Sequence, residues 1–546
     1  MRKFKERTRA QESTNAIERL YINMRHLFIR GFYKPMGVSG ETLRNALLLL
    51  RPEIYGSIAE DKVELNGLTY VIERLPEGIE ECQYINLTAD EGFKNADFKV
   101  IIPPKRRRNC YRIDRDQMNI EITRGRSEIY DILTHLTFLF IESHKISKRV
   151  IINKDGEKIR EWNLLEDIVI NKEKLDKHKR DVTIAHLADV LGRTFEETEA
   201  AYQTFATKNN PNRFLEIIFW LGNGAIAETL FDKKRVVKFS SVLSEQIGHH
   251  LYGDLWANDI KNTLIENGLE NRPIHIISAN MHSVMNSIYA PLIHGKQEGF
   301  DLYEELSKSK NQDMRKEIKN FAAKNGLIYL EDQSGTNINV QIIDSGKIPG
   351  KEAENAPVII VMDYAFGEQA YETLDELLKP IKTQNLNQNL DVCSISIMGK
   401  AGILTGGKGD IMIPSSHIFE GTADNYPFNN DFKIEDLQGY GVNVFGGSMI
   451  TVLGTSLQNR DILKFFNEST WNVVGLEMEG AHYQKAIQSA SKIRKTIRED
   501  VKVRYAYYAS DNPLETGSTL ASGGLGTTGV VPTYAITMNI LDQIFN

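Results

Sequence analysis

From Pro273 onward the chain alternates short apolar runs with longer amphipathic stretches, and no other sequence feature constrains its fold as strongly. Ile274-His-Ile-Ile-Ser278, Asn339-Val-Gln-Ile-Ile343 and Val358-Ile-Ile-Val-Met362 read as strands, and the last feeds a helix predicted from about residue 368 to 379. Such alternation implies an α/β fold, a largely parallel or mixed sheet flanked by helices. The polar stretch 346–355, with Pro349 and Gly350, reads as a loop. No repeat of fixed period and no low-complexity tract occurs, which excludes solenoids and propellers.

The first half is of mixed, α+β character. Over residues 13–50 Ile17, Leu20, Met24, Leu27 and Phe28 recur at helical spacing. Residues 62–72 carry Asn66-Gly67 between apolar positions and predict a hairpin. Further helices are expected over 184–206, 213–229 and 242–267. The organisation expected is an N-terminal region over 1–271, with room for two subdomains, and a second domain over 272–546.

Hydrophobic content of 41% and charged content of 25% fit an ordinary soluble protein. The charged start lacks a secretory signal pattern, and the apolar stretches 132–141 and 214–221 are shorter than the ~20 residues that cross a bilayer, so no membrane contact is expected. Cys82, Cys110 and Cys393 are scattered and odd in number, which points to a reducing cytoplasm. A net charge of -7 gives no general attraction for nucleic acid, and the basic runs 2–7, 105–108 and 177–180 read as solvated surface.

Arg124-Gly-Arg-Ser127 precedes a helical pattern through Ile129, Ile132, Leu133, Leu136 and Phe140, with Ser127 as the expected N-cap. Two arginines at a helix start make a candidate phosphate site. On the same helix Glu128, Asp131, His135 and Glu142 form a stripe that reads as a wet outer face rather than a metal site. Glu245 and His249 lack a third ligand, so no metal and no cofactor is expected.

Four segments of the second half are each an apolar strand ending in a glycine-rich or acidic turn, where ligands sit in open α/β sheets. They begin at Met362, Met398, Gly475 and Tyr508. In this order they resemble the nucleoside phosphorylase superfamily, over roughly residues 272–546. Gly399-Lys400-Ala-Gly402 followed by Gly409-Asp-Ile-Met-Ile is similar to the family's glycine turn and the strand after it. Phe366-Gly367-Glu holds the place of its phosphate- or water-binding loop, Glu477-Met478-Glu479 that of its ribose-gripping motif, and Ser510-Asp511 that of its general acid. The run Ser510-Asp-Asn-Pro-Leu514 is closest to the AMP nucleosidases.

The resemblance implies Glu479 and Asp511 as catalytic residues, with Met478, Glu477, Gly399, Lys400, Gly402, Phe366, Gly367 and Ser510 binding substrate. It also implies a small nucleotide or nucleoside partner, with inorganic phosphate as an alternative co-substrate, and a homo-oligomer. The chemistry explains the residue types. A departing base leaves oxocarbenium character on the sugar, so a carboxylate that holds the ribose hydroxyls and an acid that protonates the base are both needed. Two departures stand out. Ser278-Ala-Asn-Met-His282-Ser lacks the family's acidic cluster after its first strand, with His282 a candidate polar substitute, and Lys400 brings a cation into the glycine turn, toward phosphate or solvent. The glycine-rich stretch 516–529 is open to two readings, a phosphate-binding or lid segment and a plain surface loop.

Overall fold

The computed structural model describes residues 9–50, 59–106, 108–249, 251–295, 299–351, 353, 355–383, 387–420, 422, 424–454, 459–516 and 525–546. The basic run 2–7, Arg107 and residues 517–524 of the glycine-rich stretch lie outside them. Two compact units form, one of Met1–Thr123 with Glu128–Gly248, the other of Arg124–Ser127 with His249–Asn546. The second therefore begins ahead of the expected position 272. Trp256, Ile260 and Leu264 of the helix Leu251–Glu266 share a core with Ile274 and Ile360, which draws that helix into it.

The first unit carries a mixed sheet of β1 (Phe32–Tyr33), β2 (Tyr84–Thr88), β3 (Val100–Ile101), β4 (Cys110–Arg112), β5 (Gln117–Glu121) and β6 (Val236–Phe239), in the order β1-β6-β2-β5-β4-β3. Several expectations are corrected here. The predicted hairpin is the helix Leu65–Ile72, because Leu65, Leu68 and Val71 recur at helical spacing and are buried, and that burial outweighs the Asn66-Gly67 turn signal. Residues 13–50 form two helices, Arg9–Arg30 and Val38–Leu50, parted at Gly31, whose φ of 72° breaks the first. Gly192 likewise divides Lys177–Leu191 from Phe195–Phe205.

The stripe Glu128, Asp131, His135 and Glu142 is buried, not wet. Arg106 and Arg108 of the supposedly solvated run turn inward to meet it, Arg106 Nε lying 2.9 Å from Asp131 and Arg108 Nε 3.2 Å from Glu128, while Lys145 pairs with Glu142 at 2.9 Å. Burial pushes the His135 imidazole down to about 3, so it packs as a neutral ring beside Tyr70. The helix Arg213–Phe231 is long and apolar enough to cross a membrane, yet Phe214, Leu215, Ile217, Ile218 and Leu221 lie in the interior of this unit.

The second unit is built on a ten-stranded sheet. Its strands are β7 (Ile274–Ser278), β8 (Leu327–Leu330), β9 (Val340–Asp344), β10 (Val358–Met362), β13 (Val392–Ile403), β14 (Ile411–Phe419), β15 (Asn425–Pro427), β16 (Val444–Thr451), β17 (Val473–Glu477) and β18 (Lys502–Asp511), with a separate pair β11 (Ile381–Lys382) and β12 (Asn387–Gln388). β13 pairs β18, β18 pairs β14, β14 pairs β16, β16 pairs β17 and β17 returns to β13, so these five strands close into a ring. From β13 the sheet continues through β7 and β10, both parallel to it, to the antiparallel β9 and β8. Successive residues of β10 alternate between two cores: Ile360 and Met362 pack with the helices Leu251–Glu266 and Gln369–Leu377, and Ile359 and Val361 with Met281–His294 and Val530–Phe545. Burial on both faces explains why the strand reads as an unbroken apolar run.

Candidate active site

Parallel pairing sends the carboxyl ends of β7, β10, β13 and β18 to one edge of the sheet. Ser278 and Met362 are register partners, Ser278 also opposes Ile397, and Gly402 opposes Asp511. The antiparallel β17 brings Leu476 opposite the same Gly402. The motifs that end β17 and β18 thus flank one glycine. Gly399-Lys-Ala-Gly402 is not a turn, however. It lies inside β13, which runs on to Ile403, with an irregularity in its pairing to β18 between Ala401 and Gly402.

Ser510 Oγ donates either to the Ala401 carbonyl at 3.0 Å or to Asp511 Oδ1 at 2.5 Å, and Asp511 is largely buried. Tyr364 lies beside Gly399, and its hydroxyl is 3.5 Å from that of Tyr508. Lys400 is exposed at the register position opposite Tyr508. Ser278 Oγ lies 2.9 Å from the hydroxyl of Tyr483, and His282 is exposed in the first turn of Met281–His294.

The two carboxylates of the loop after β17 have different work. Glu477 is fully buried. Its Oε1 accepts from Thr451 Oγ1 at 2.5 Å and lies 3.4 Å from His417 Nδ1, and its Oε2 accepts from the N–H groups of Glu479 and Gly480. Burial alone would raise its pKa, but the His417 contact, the Thr451 hydroxyl and the loop N–H groups outweigh it and hold the carboxyl below its ordinary range. With both oxygens engaged inside the protein, Glu477 sets the shape of the loop and is not placed to touch a ligand. Gly480 is required beside it, because a Cβ there would come within 2.4 Å of the His417 ring.

Glu479 is only partly accessible. Its Oε1 accepts from Gly367 N–H at 3.1 Å and its Oε2 from Met478 N–H at 3.2 Å. The protein packed around it and the neighbouring Glu477 charge push its carboxyl up to about 8, against the pull of those N–H groups and of Arg124. The same stretch thus pulls the Glu477 carboxyl down and pushes the Glu479 carboxyl up. Met478 packs into an apolar cluster with Leu404 and Leu476, against which Phe366 and Leu514 rest, so Phe366 and Met478 are brought together.

Gly367 takes a φ of 58°, and a Cβ on it would fall 2.1 Å from Ser127 Oγ. Here the candidate phosphate segment meets the 366–368 loop: Arg126 Nη1 pairs with Glu368 Oε1 at 3.1 Å, and the Arg124 guanidinium lies 5.4 Å from the Phe366 ring centre. The helix starts at Gly125, so Ser127 belongs to its first turn and is not the N-cap. His417, Thr451 and Tyr483 had no sequence signal, since none belongs to a spaced motif, and Tyr364 lies in the segment that begins at Met362 without having been singled out.

The profile of a family of unknown function (DUF6909) matches residues 41–324 and 300–546. The chain belongs to this family. No curated protein matches it. Among solved structures, this DUF6909 chain is similar to a 5'-methylthioadenosine/S-adenosyl homocysteine nucleosidase of Campylobacter jejuni, at 11% identity and a TM-score of 0.31, over 50% of this chain and 98% of that one. A futalosine hydrolase of Helicobacter pylori matches at 11% identity and 0.31, over 50% and 98%. Isoform 2 of uridine phosphorylase from Schistosoma mansoni matches at 11% and 0.30, over 54% and 92%.

Proposed function

We propose that the second unit is a nucleoside phosphorylase-like catalytic unit that breaks the N-glycosidic bond of a purine nucleotide or nucleoside, in the manner of an AMP nucleosidase. The observation that carries this reading is the placing of Glu479, on the loop that leaves β17, across Gly402 from Asp511 at the end of β18. As the ribosyl–base bond breaks, its electron pair leaves with the base and positive charge builds on the sugar. Ribose hydroxyls donating to Glu479 favour its ionised form, and that carboxylate stabilises the cationic sugar. Asp511, oriented by Ser510, delivers the proton that the departing base takes up. Water adds to the sugar carbon in hydrolysis, and the proton it sheds returns Asp511 to its acid form. Inorganic phosphate in its place would give phosphorolysis, and the cations Lys400 and Arg124 favour a phosphorylated substrate or co-substrate.

A second reading, a nucleotide-binding protein without turnover, is favoured by the segment after β7, where Ser278 bonds Tyr483 and no carboxylate stands. The test is chromatography of free base from AMP and adenosine, with and without phosphate. Adenine release from AMP without phosphate supports the hydrolase, strict phosphate dependence the phosphorylase, and binding with no release the sensor.

A further inference from the structure

We infer that the buried ion cluster of the first unit is a binding site for an oxyanion of the phosphate class, with Arg74 and Arg108 as its principal donors. None of its residues enters the mechanism proposed for the second unit, and the inference does not rest on that mechanism. One line of contacts runs through the cluster. The Arg74 guanidinium lies 3.5 Å from the centre of the Tyr70 ring, and Arg74 Nη1 donates to the Tyr70 carbonyl at 2.8 Å. The Tyr70 ring is 5.7 Å, centre to centre, from that of His135, whose Nδ1 lies 3.7 Å from Asp131 Oδ2. Asp131 is shared by Arg106 at 2.9 Å and Arg108 at 3.3 Å, and Arg108 reaches on to Glu128. Burial is deep, with Arg74 5% exposed, Arg108 4% and His135 0%.

Two features of this line point to an anion. The first is charge. Three guanidiniums meet two carboxylates along it, and the neutral His135 ring adds nothing to the count, so one positive charge is left over in a place where an uncompensated ion is costly. The second is a set of orphan donors. Arg74 Nε, Arg108 Nη1, the Tyr70 hydroxyl and His135 Nε2 are buried and find no hydrogen-bond partner among the described residues, whereas buried polar groups in folded proteins are almost always paired. Water would satisfy the donors and leave the charge. A phosphate group answers both, because its several oxygens accept from separate directions and guanidiniums bind it through strong charge-assisted bonds. Asp131 and Glu128 hold Arg106 and Arg108 in place, and the exposed Lys105 on the same loop gives the anion a positive approach from solvent.

The test is calorimetric titration of the full chain with inorganic phosphate, AMP and adenosine, in wild type, Arg74→Gln and Tyr70→Phe. Wild type should bind phosphate, and Arg74→Gln should weaken that event roughly tenfold to a hundredfold, the loss expected for a hydrogen bond to a charged group. Tyr70→Phe removes one buried hydroxyl and no charge. It should weaken phosphate roughly twofold to tenfold, and it decides the matter if Arg74→Gln does not fold. Phosphate bound as tightly as AMP, both weakened in the variants, identifies the free anion as the ligand. AMP bound more tightly than phosphate, and weakened in the variants, identifies the phosphate group of a nucleotide. Adenosine binding should be the same in all three proteins. A phosphate event on the cations of the second unit is untouched by either substitution, so unchanged phosphate and AMP affinities in the variants overturn the inference. A wild type that binds neither ligand overturns it as well.

Discussion

Glu477 and Glu479 stand two residues apart on one loop, the first held ionised by His417 and Thr451, the second pushed up to about 8 by burial and by the first. Glu477 gives the loop its shape, and in the function proposed above Glu479 is the group that changes charge when a ligand's hydroxyls arrive.

Glu479→Gln should therefore weaken substrate affinity and turnover together, because the ribose grip acts in both ground and transition states. Its stability has a definite sign. The folded pKa lies above the unfolded value of about 4.3, so wild type loses stability as pH rises from there to about 8 and levels off beyond. Glutamine has no such cost, so the variant's melting advantage should grow over that window. Equal melting temperatures across the window, or unchanged kinetics, would remove Glu479 from this role.

Glu477→Ala should cost about 3 kcal/mol of folding stability or more, since Thr451 and two loop N–H groups lose their acceptor and each buried donor left unsatisfied costs roughly 1–3 kcal/mol. With its folded pKa below the unfolded value, Glu477 stabilises above about pH 4.3, and that contribution disappears as pH falls through the folded pKa. Urea denaturation of wild type and variant at pH 7 and under acid conditions checks both statements.

Lys400→Ala tests whether the exposed cation on β13 meets phosphate. Loss of such a contact should cost roughly 1–3 kcal/mol in binding of AMP or of inorganic phosphate and leave adenosine binding unchanged. Calorimetric titration with the three ligands decides it, and identical affinities would make Lys400 a surface residue.

The strands that end at Met362, Glu477 and Asp511 were legible as apolar runs closed by polar turns, whereas Gly399-Lys-Ala-Gly402, read as a turn, lies inside β13; β7 and β10 were legible because a strand covered on both faces has no polar side. The inward turn of Arg106 and Arg108 was not legible, because a buried ion cluster and a wet charged face have the same spacing along a helix. The meeting of Ser127 with Gly367 was hidden for another reason: local pattern carries no information on which distant segment will pack against a glycine. The helix at 65–72 shows tertiary burial overruling a turn signal.

Asp511→Asn is the most direct test of catalysis. Asparagine is nearly isosteric and can still accept from Ser510, so binding of AMP and thermal stability should be preserved, but it has no acidic proton to deliver as the base departs. Free base is followed by chromatography for wild type and variant, alongside the melting shift each shows with AMP. The expected result is adenine release by wild type and none by the variant, with equal melting shifts; a variant that releases base as fast as wild type would contradict the assignment of Asp511 as the acid.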